Sequence, residues 1–446
     1  VRVKLSIFKA YDIRGIYPDE LDEKLAKKIG NCFAQIVEGK DILVSRDMRE
    51  SSRPLLGAVV SGILDAGKNV TDIGLASTPM MNFAVGKFAF DAGIQVTASH
   101  NPREYNGLKT VGKGTIPIGY ETGLNLVEKK VREGDYIESK YKGTRREEDV
   151  LNAYTDYVLS FKNEIRPLKV VIDASNGMAG YTLPPILKGL SLDVKRLYFD
   201  MDGSFPNHES NPMVKENLET LIEEVNKQKV DLGVIFDGDA DRAVFVDEKG
   251  NIVRPDLITG IIAEEVLEGK KGETILIDVR TGWAVKEKIE ELGCIPLRVQ
   301  VGHAYARRRL MDVDAILGGE LAGHYYFRDN YYGDSGVIAF LYVLRTLSRV
   351  KKPFSQLLKS LLRYPGTGEI NFKTERKDEI IASMKDIYSD GEISLLDGLT
   401  VEYSNWWFNL RKSNTEPYLR LNIEARNKKL FKIKKEEIIS RIESML

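Results

Sequence analysis

LGVIFDGDADR, residues 232–242, is the stretch that decides how this chain is read. Five apolar residues run without a break into Asp237, Asp239 and Asp241, which are spaced by Gly238 and Ala240. A short apolar run of this kind reads as a buried strand, and it opens into a loop of small and acidic residues. The same pattern occurs three times, which identifies an internal repeat. The first copy has apolar runs at 42–44, leading into SRDMRESS, at 70–74, and at 93–96, leading into TASHNP. The second has runs at 170–172, leading into DASNGMAG, at 194–199, and at 232–236, leading into DGDADR. The third has runs at 275–277, leading into DVRTGWA, at 297–301, and at 315–317, leading into GGELAGH.

Helical patterns such as 21–36 and 218–225 lie between the runs, which predicts mixed α/β layers with largely parallel strands. Ligands bind in loops at the carboxyl ends of such strands, so the three polar loops are expected to meet in a shared cleft. From about Gly366 the pattern breaks. A helix at 377–387, strands at 399–403 and 418–424, and a Lys-rich amphipathic helix after Lys429 predict a separate unit. The fold class expected is three similar mixed α/β domains plus a smaller C-terminal α+β domain around a central cleft. Polar linkers place the units at 1–147, 148–252, 253–366 and 367–446.

Bulk composition narrows the function. A chain of 446 residues, 43% hydrophobic, is too long for one ordinary core. Lys and Arg total 65 against 66 Asp and Glu, so a net charge of -1 offers no global field for nucleic acid or an anionic membrane. Cys32 and Cys294 lie far apart and read as buried small hydrophobes in a reducing cytoplasm. No apolar stretch reaches the roughly 18 residues of a membrane span, and the charged N-terminal stretch lacks the apolar centre of a signal peptide. A cytoplasmic protein is therefore expected.

The acidic loop carries the sharpest chemistry. Small spacers let it curl so that three carboxylates converge on a hard cation such as magnesium, although a solvated acidic turn fits the same pattern. An EF-hand is excluded because Arg242 stands where its sixth position needs glycine. A haloacid-dehalogenase-like aspartyl nucleophile also follows an apolar strand, but that family carries Thr or Val where Asp241 stands. In the first copy Ser99 sits beside His100, with Lys109 soon after. Adjacent residues rarely face each other, so a hydrolase triad is weakly supported. A phosphorylated Ser99 would need cationic partners, which Lys109, Arg242 and a cation at the aspartates would supply. The third loop joins Glu320 and His324, which fit either sugar hydroxyls or a buried turn. RKSNTEP, residues 411–417, gathers guanidinium, hydroxyl and amide donors suited to phosphate. Of four histidines, His100, His303 and His324 lie in or near the polar loops, and no pair has zinc spacing.

Together these segments resemble the α-D-phosphohexomutase family, most closely its phosphomannomutase/phosphoglucomutase branch. FKAYDIRG (residues 8–15), TASHNP, DGDADR, GGELAGH and RKSNTEP occur in that family's order over the whole chain. The resemblance implies interconversion of hexose 1-phosphate and hexose 6-phosphate through a phosphoserine at Ser99. It implies one magnesium ion, held by Asp237, Asp239, Asp241 and a phosphoserine oxygen, and a hexose 1,6-bisphosphate as intermediate and activator. Arg242 and Arg14 would serve the nucleophile, with Lys109, His100 and His324 as candidate acids and bases. Tyr11, Arg280, His303, Glu320, Ala322, Arg411, Ser413, Asn414 and Thr415 would bind substrate. Ala322 departs from the serine common in relatives, and Arg280 from a frequent lysine, and both changes touch sugar choice. The partner implied is a small phosphosugar, with no nucleic acid and no membrane; monomer and homo-oligomer both stay open. A phosphoglucosamine mutase usually carries a Gly-Thr-Asp version of FKAYDIRG, and an inactive phosphosugar-binding protein of the same fold is the rival from another class.

Overall fold

The computed structural model describes residues 7–413 and 417–446. Its strands form four sheets, of which the first three share one arrangement. In the first, Asp41–Arg46 lies between Asn69–Leu75 and Ala92–Val96, parallel to both. In the second, Leu168–Asp173 lies in the same way between Leu192–Leu197 and Leu232–Phe236, and in the third Thr274–Asp278 lies between Ile295–Val299 and Leu317–Gly319. The central positions explain the unbroken apolar runs: all five residues of Leu232–Phe236 are buried, as a strand covered on both faces requires.

Each third strand is followed by one that the apolar-run pattern did not show. Tyr105–Gly112, Ala243–Asp247 and Tyr325–Phe327 return antiparallel along Ala92–Val96, Leu232–Phe236 and Leu317–Gly319. The sheets are therefore mixed rather than largely parallel, and each polar loop is the turn of a hairpin. The helix expected at 21–36 is Glu23–Ile36, because the Asp22 side chain accepts from Leu25 N at 2.7 Å and caps its first turn. The one expected at 218–225 is Glu219–Gln228.

The fourth sheet is wholly antiparallel, in the order Ile370–Lys373, Tyr418–Ala425, Trp406–Lys412, Leu399–Glu402, Glu392–Ser394, and it is accompanied by helices Lys377–Ile387 and Lys428–Glu443. Its core, with Phe372, Phe408, Leu421 and Ile438, is its own. By contrast one apolar cluster runs from Met80 and Phe83 through Phe236 to Ile277 and the buried helix Gly336–Val350, welding the first three units together. Cys32 and Cys294 are free and buried, as expected. Among the described residues no helix is long and apolar enough to cross a membrane.

Candidate active site

The three hairpin turns meet. Ser99 is 3% exposed, with a left-handed backbone (φ 52°) that costs a residue with a Cβ and must be held by its surroundings. Arg49, from the SRDMRESS segment, holds it. The Arg49 guanidinium, 1% exposed, donates to the carbonyls of Ser99 (3.0 Å), Asn101 (2.6 Å), Pro102 (2.7 Å) and Tyr105 (3.1 Å). Asp47 accepts from Arg49 N at 3.0 Å and from Thr97 Oγ1 at 2.7 Å, tying both segments together. Neither Asp47 nor Arg49 stood out in the sequence, where a buried arginine reads like any surface one.

Ser99 Oγ donates to Asp237 Oδ2 at 2.9 Å, across 138 positions of chain. The acidic turn can approach this closely because residue 238 is glycine: a Cβ there would lie 2.4 Å from the Ser99 carbonyl oxygen. The ligand atoms of Asp237, Asp239 and Asp241 all lie within 4.8 Å of one another, and all three residues are buried. Lys109, on Tyr105–Gly112, places its Nζ 2.6 Å from both Asp239 and Asp241. Arg242 donates from Nε to Asp237 Oδ2 at 3.0 Å.

Burial, with Asp241 and Asp239 close by, pushes the Asp237 carboxyl up to about 8. Burial and Asp241 push Asp239 in the same direction, but Lys109 and Thr78 outweigh them and hold it below the usual carboxylate range. Lys109 is held strongly protonated: burial works against its charge, and the three aspartates overcome burial. Asp239 Oδ1 and Asp241 Oδ1 are buried with no hydrogen-bond partner among the described residues. Bare carboxylate oxygens in a dry site are costly, and an all-oxygen set of this kind fits a hard divalent cation. A second set, Asp241, His324 and Asp334, shares Asp241, but there His324 Nδ1 is already engaged with Asp334 Oδ2 at 2.7 Å.

His100 Nδ1 lies 3.4 Å from Ser99 Oγ. Burial and then the Arg242, Arg14 and Lys109 charges hold this imidazole well below its usual value, so it is neutral. His324 is shifted the other way: burial opposes its charge, yet Asp241 and Asp334 raise it. Asp334 had no sequence signal beyond its place ten residues after His324. The His324 ring stacks with those of His303 and Tyr326, each 6.0 Å away, and Tyr11 packs edge-on against His303 at 5.4 Å. Tyr11 OH donates to Val301 O at 3.1 Å, joining the first unit to the third. Arg14 donates to Asn101 Oδ1 at 2.5 Å and to Asp12, so it braces the Ser99 loop.

Glu320 accepts from Gly302 N at 3.1 Å and from Tyr326 OH, and burial raises its carboxyl. Ala322 is half-buried on the same turn. The next residue back, Leu321, donates its N–H to Asp278 Oδ2 at 2.7 Å, and the same oxygen accepts from Arg280 Nη2 at 2.6 Å. Arg280 also reaches the fourth unit, where Glu369 Oε2 accepts from Arg280 Nη1 at 3.4 Å and from Arg411 Nη2 at 2.7 Å. Arg411 lies within the strand Trp406–Lys412 rather than in a loop, because that strand pairs with Tyr418–Ala425 through Lys412. Ser413 N donates to Tyr418 O at 2.9 Å. Asn414 and Thr415 lie outside the described residues.

Known proteins match this architecture unit by unit. The family models for phosphoglucomutase/phosphomannomutase alpha/beta/alpha domains I, II and III match residues 5–138, 152–250 and 254–364, and the one for the C-terminal domain matches 369–440. A phosphomannomutase of Vibrio cholerae is 36% identical over 99% of both chains. One from Methanocaldococcus jannaschii is 38% identical over 97% of both. The crystal structure of a phosphoglucomutase/phosphomannomutase family protein from Burkholderia thailandensis has a TM-score of 0.90 and 34% identity, covering 98% of this chain and 97% of that one.

Proposed function

The chain belongs to the phosphoglucomutase/phosphomannomutase family of phosphohexomutase enzymes, and from that premise we propose that it interconverts the 1-phosphate and 6-phosphate of glucose, mannose or both, with Ser99 as the phosphoryl carrier. The observation that carries this reading is the meeting of Ser99 Oγ with the Asp237 carboxylate at 2.9 Å, inside a ring of buried carboxylates and cations. An ordinary loop serine has no reason to be strained, buried and aimed at three aspartates.

In the proposed reaction the P–O bond to Ser99 breaks as a P–O bond to a free sugar hydroxyl forms, and the hydroxyl proton passes to a base. The resulting hexose 1,6-bisphosphate turns over, and its other phosphoryl group returns to Ser99 by the reverse exchange. Lys109 and Arg242 hold positive charge beside the transferred group, the main contribution a protein makes to phosphoryl transfer. A magnesium ion at Asp237, Asp239, Asp241 and an oxygen on Ser99 would supply further positive charge there when bound. His324, oriented by Asp334, is suited to exchange the proton, while His100, 3.4 Å from Ser99 Oγ, stays a neutral ring beside the nucleophile. Glu320 binds sugar hydroxyls, and Arg280, Arg411 and Ser413 grip the phosphate that is not reacting. The separate core of the fourth unit lets that grip move while the intermediate turns.

The FKAYDIRG motif favours glucose or mannose over glucosamine phosphate. Replacing Ser99 by alanine tests the carrier: with glucose 1-phosphate or mannose 1-phosphate in a coupled assay, turnover should vanish while thermal unfolding stays cooperative. An undiminished rate removes Ser99 from the mechanism. If the unaltered protein turns over none of glucose, mannose and glucosamine 1-phosphate, the inactive binding protein is the better description.

A further inference from the structure

One carboxylate occupies the guanidinium groups just assigned to the substrate's phosphate. Glu369 Oε2 accepts from Arg411 Nη2 at 2.7 Å and from Arg280 Nη1 at 3.4 Å, while its Oε1 lies 3.3 Å from Arg420 Nη1. Arg280 belongs to the third sheet's unit, whereas Arg411 and Arg420 lie on neighbouring strands of the fourth, paired directly across the sheet. Glu369 follows Gly368 (φ 66°) in the segment that joins the two units. Arg280 and Arg411 are 7% and 2% exposed, and each keeps a buried Nε with no hydrogen-bond partner among the described residues.

Clustered guanidinium groups this dry repel one another and need an anion. The three arginines hold the Glu369 carboxyl below its ordinary value although burial works the other way. The Glu369 side chain is 22% exposed, and it lines a cavity of ≈ 420 Å³ shared with Leu321, Asn371 and Trp407. The carboxylate therefore has room to swing aside.

We infer that Glu369 is a resident counter-ion that occupies the phosphate-gripping arginines between substrates, yields Arg411 to the sugar phosphate, and takes it back whenever the phosphate lets go. This rests on the assignment of Arg280 and Arg411 to the non-reacting phosphate. A phosphate with about two negative charges outbids a single carboxylate for these groups. When the bisphosphate intermediate turns, its phosphate must leave the grip, and a waiting carboxylate spares the arginines from standing bare. Glu369 thus weakens binding and hastens release.

The test compares Glu369→Gln and Arg411→Lys with the unaltered full-length protein. Removing the competing charge-assisted bond should lower the KM for glucose 1-phosphate about tenfold and lower kcat by a similar factor. In a Ser99→Ala background, which blocks turnover, E369Q should tighten the calorimetric Kd for glucose 6-phosphate by the same factor. A raised or unchanged KM and Kd in E369Q overturns the inference, since a mere brace for Arg411 loosens binding when it is lost. Should E369Q not fold, Glu369→Asp, whose shorter carboxylate draws back from Arg411, should shift KM and kcat in the same directions by about threefold. R411K separates the two levels. If its KM is unchanged, the phosphate grip itself is misassigned; if its KM rises while E369Q leaves binding unaltered, the grip stands and the counter-ion role falls.

Discussion

Gly238→Ala isolates the contact on which the site depends. A Cβ at residue 238 would lie 2.4 Å from the Ser99 carbonyl oxygen and 2.9 Å from Ser210 Oγ. Unstrained heavy atoms sit about 3.5 Å apart, so the Ser99 backbone must retreat by about 1 Å or the acidic turn must lift by as much. Neither side is soft. The Ser99 carbonyl is clamped by Arg49 Nη2 at 3.0 Å, and the acidic turn is held from behind by Met178 N on Gly238 O at 2.9 Å. A shift of that size takes Ser99 Oγ out of hydrogen-bond range of Asp237, now 2.9 Å away. Misplacement by about 1 Å costs roughly 100-fold in rate, and overpacking costs about 1–3 kcal/mol of stability. kcat in a coupled hexose-phosphate assay and a thermal melt read the two effects separately. Gly57→Ala is the control: it lies in the helix Ser52–Asp65, is exposed, and its Cβ would meet nothing within 4 Å. It should leave kcat alone and add up to about 1 kcal/mol of stability. A G238A protein that melts cooperatively and keeps kcat within a few-fold of the original would show that the close approach of the two turns is not what aligns Ser99.

Three further outcomes are expected. Chelating divalent cations should silence turnover, and magnesium at about 100 times its Kd should stabilise the protein by about 2.7 kcal/mol in a melt, an increment that Asp239→Asn removes; full activity after exhaustive chelation contradicts the aspartate site. Ala322→Ser should shift the ratio of kcat/KM for glucose and mannose 1-phosphates by about fivefold, the worth of one neutral hydrogen bond, and an unchanged ratio takes position 322 out of sugar choice. Asp65 accepts from Lys142, Lys27 and Tyr136, which hold its carboxyl well below the usual range. A depressed carboxyl lends stability above its unfolded value of about 3.9 and loses it as pH falls through the folded one. Asp65→Asn should therefore cost about 1 kcal/mol at neutral pH, discounted for its exposed lysine partners, and the gap in melting temperature should close in acid.

The apolar runs were legible because a central strand covered on both faces has no choice but to be apolar: Val170, Ile172, Ile275 and Ile277 are all fully buried. The return strands were not. Tyr105–Gly112 carries Asn106 and Lys109, buried polar groups that Ser51, Ser52, Asp239 and Asp241 satisfy from far along the chain. Partners so remote leave no trace in a local window. The same holds for Arg49, whose carbonyl acceptors are 50 or more positions away, and for Glu369, which sits where polar composition marks a linker. Arg411 was read as loop because its neighbours are polar; its strand is set by pairing with Tyr418–Ala425.

The hairpin return also explains why three units of one pattern can build a single site. A turn closed by two adjacent strands is stiffer than an open connection, and the apolar cluster shared by the first three units fixes the turns against one another. Distances of 2.9 Å from Ser99 to Asp237, 2.6 Å from Lys109 to Asp241 and 3.8 Å from His324 to Asp241 cross unit boundaries, and the proposed phosphoryl transfer would tolerate little slack in them. The fourth unit, with a core of its own, meets this assembly through Glu369 and the arginines around it, the contacts inferred above to exchange a carboxylate for the substrate's phosphate. In the proposed reaction, rigidity therefore falls where bonds are made and broken, and exchangeable charge falls where the bisphosphate would turn.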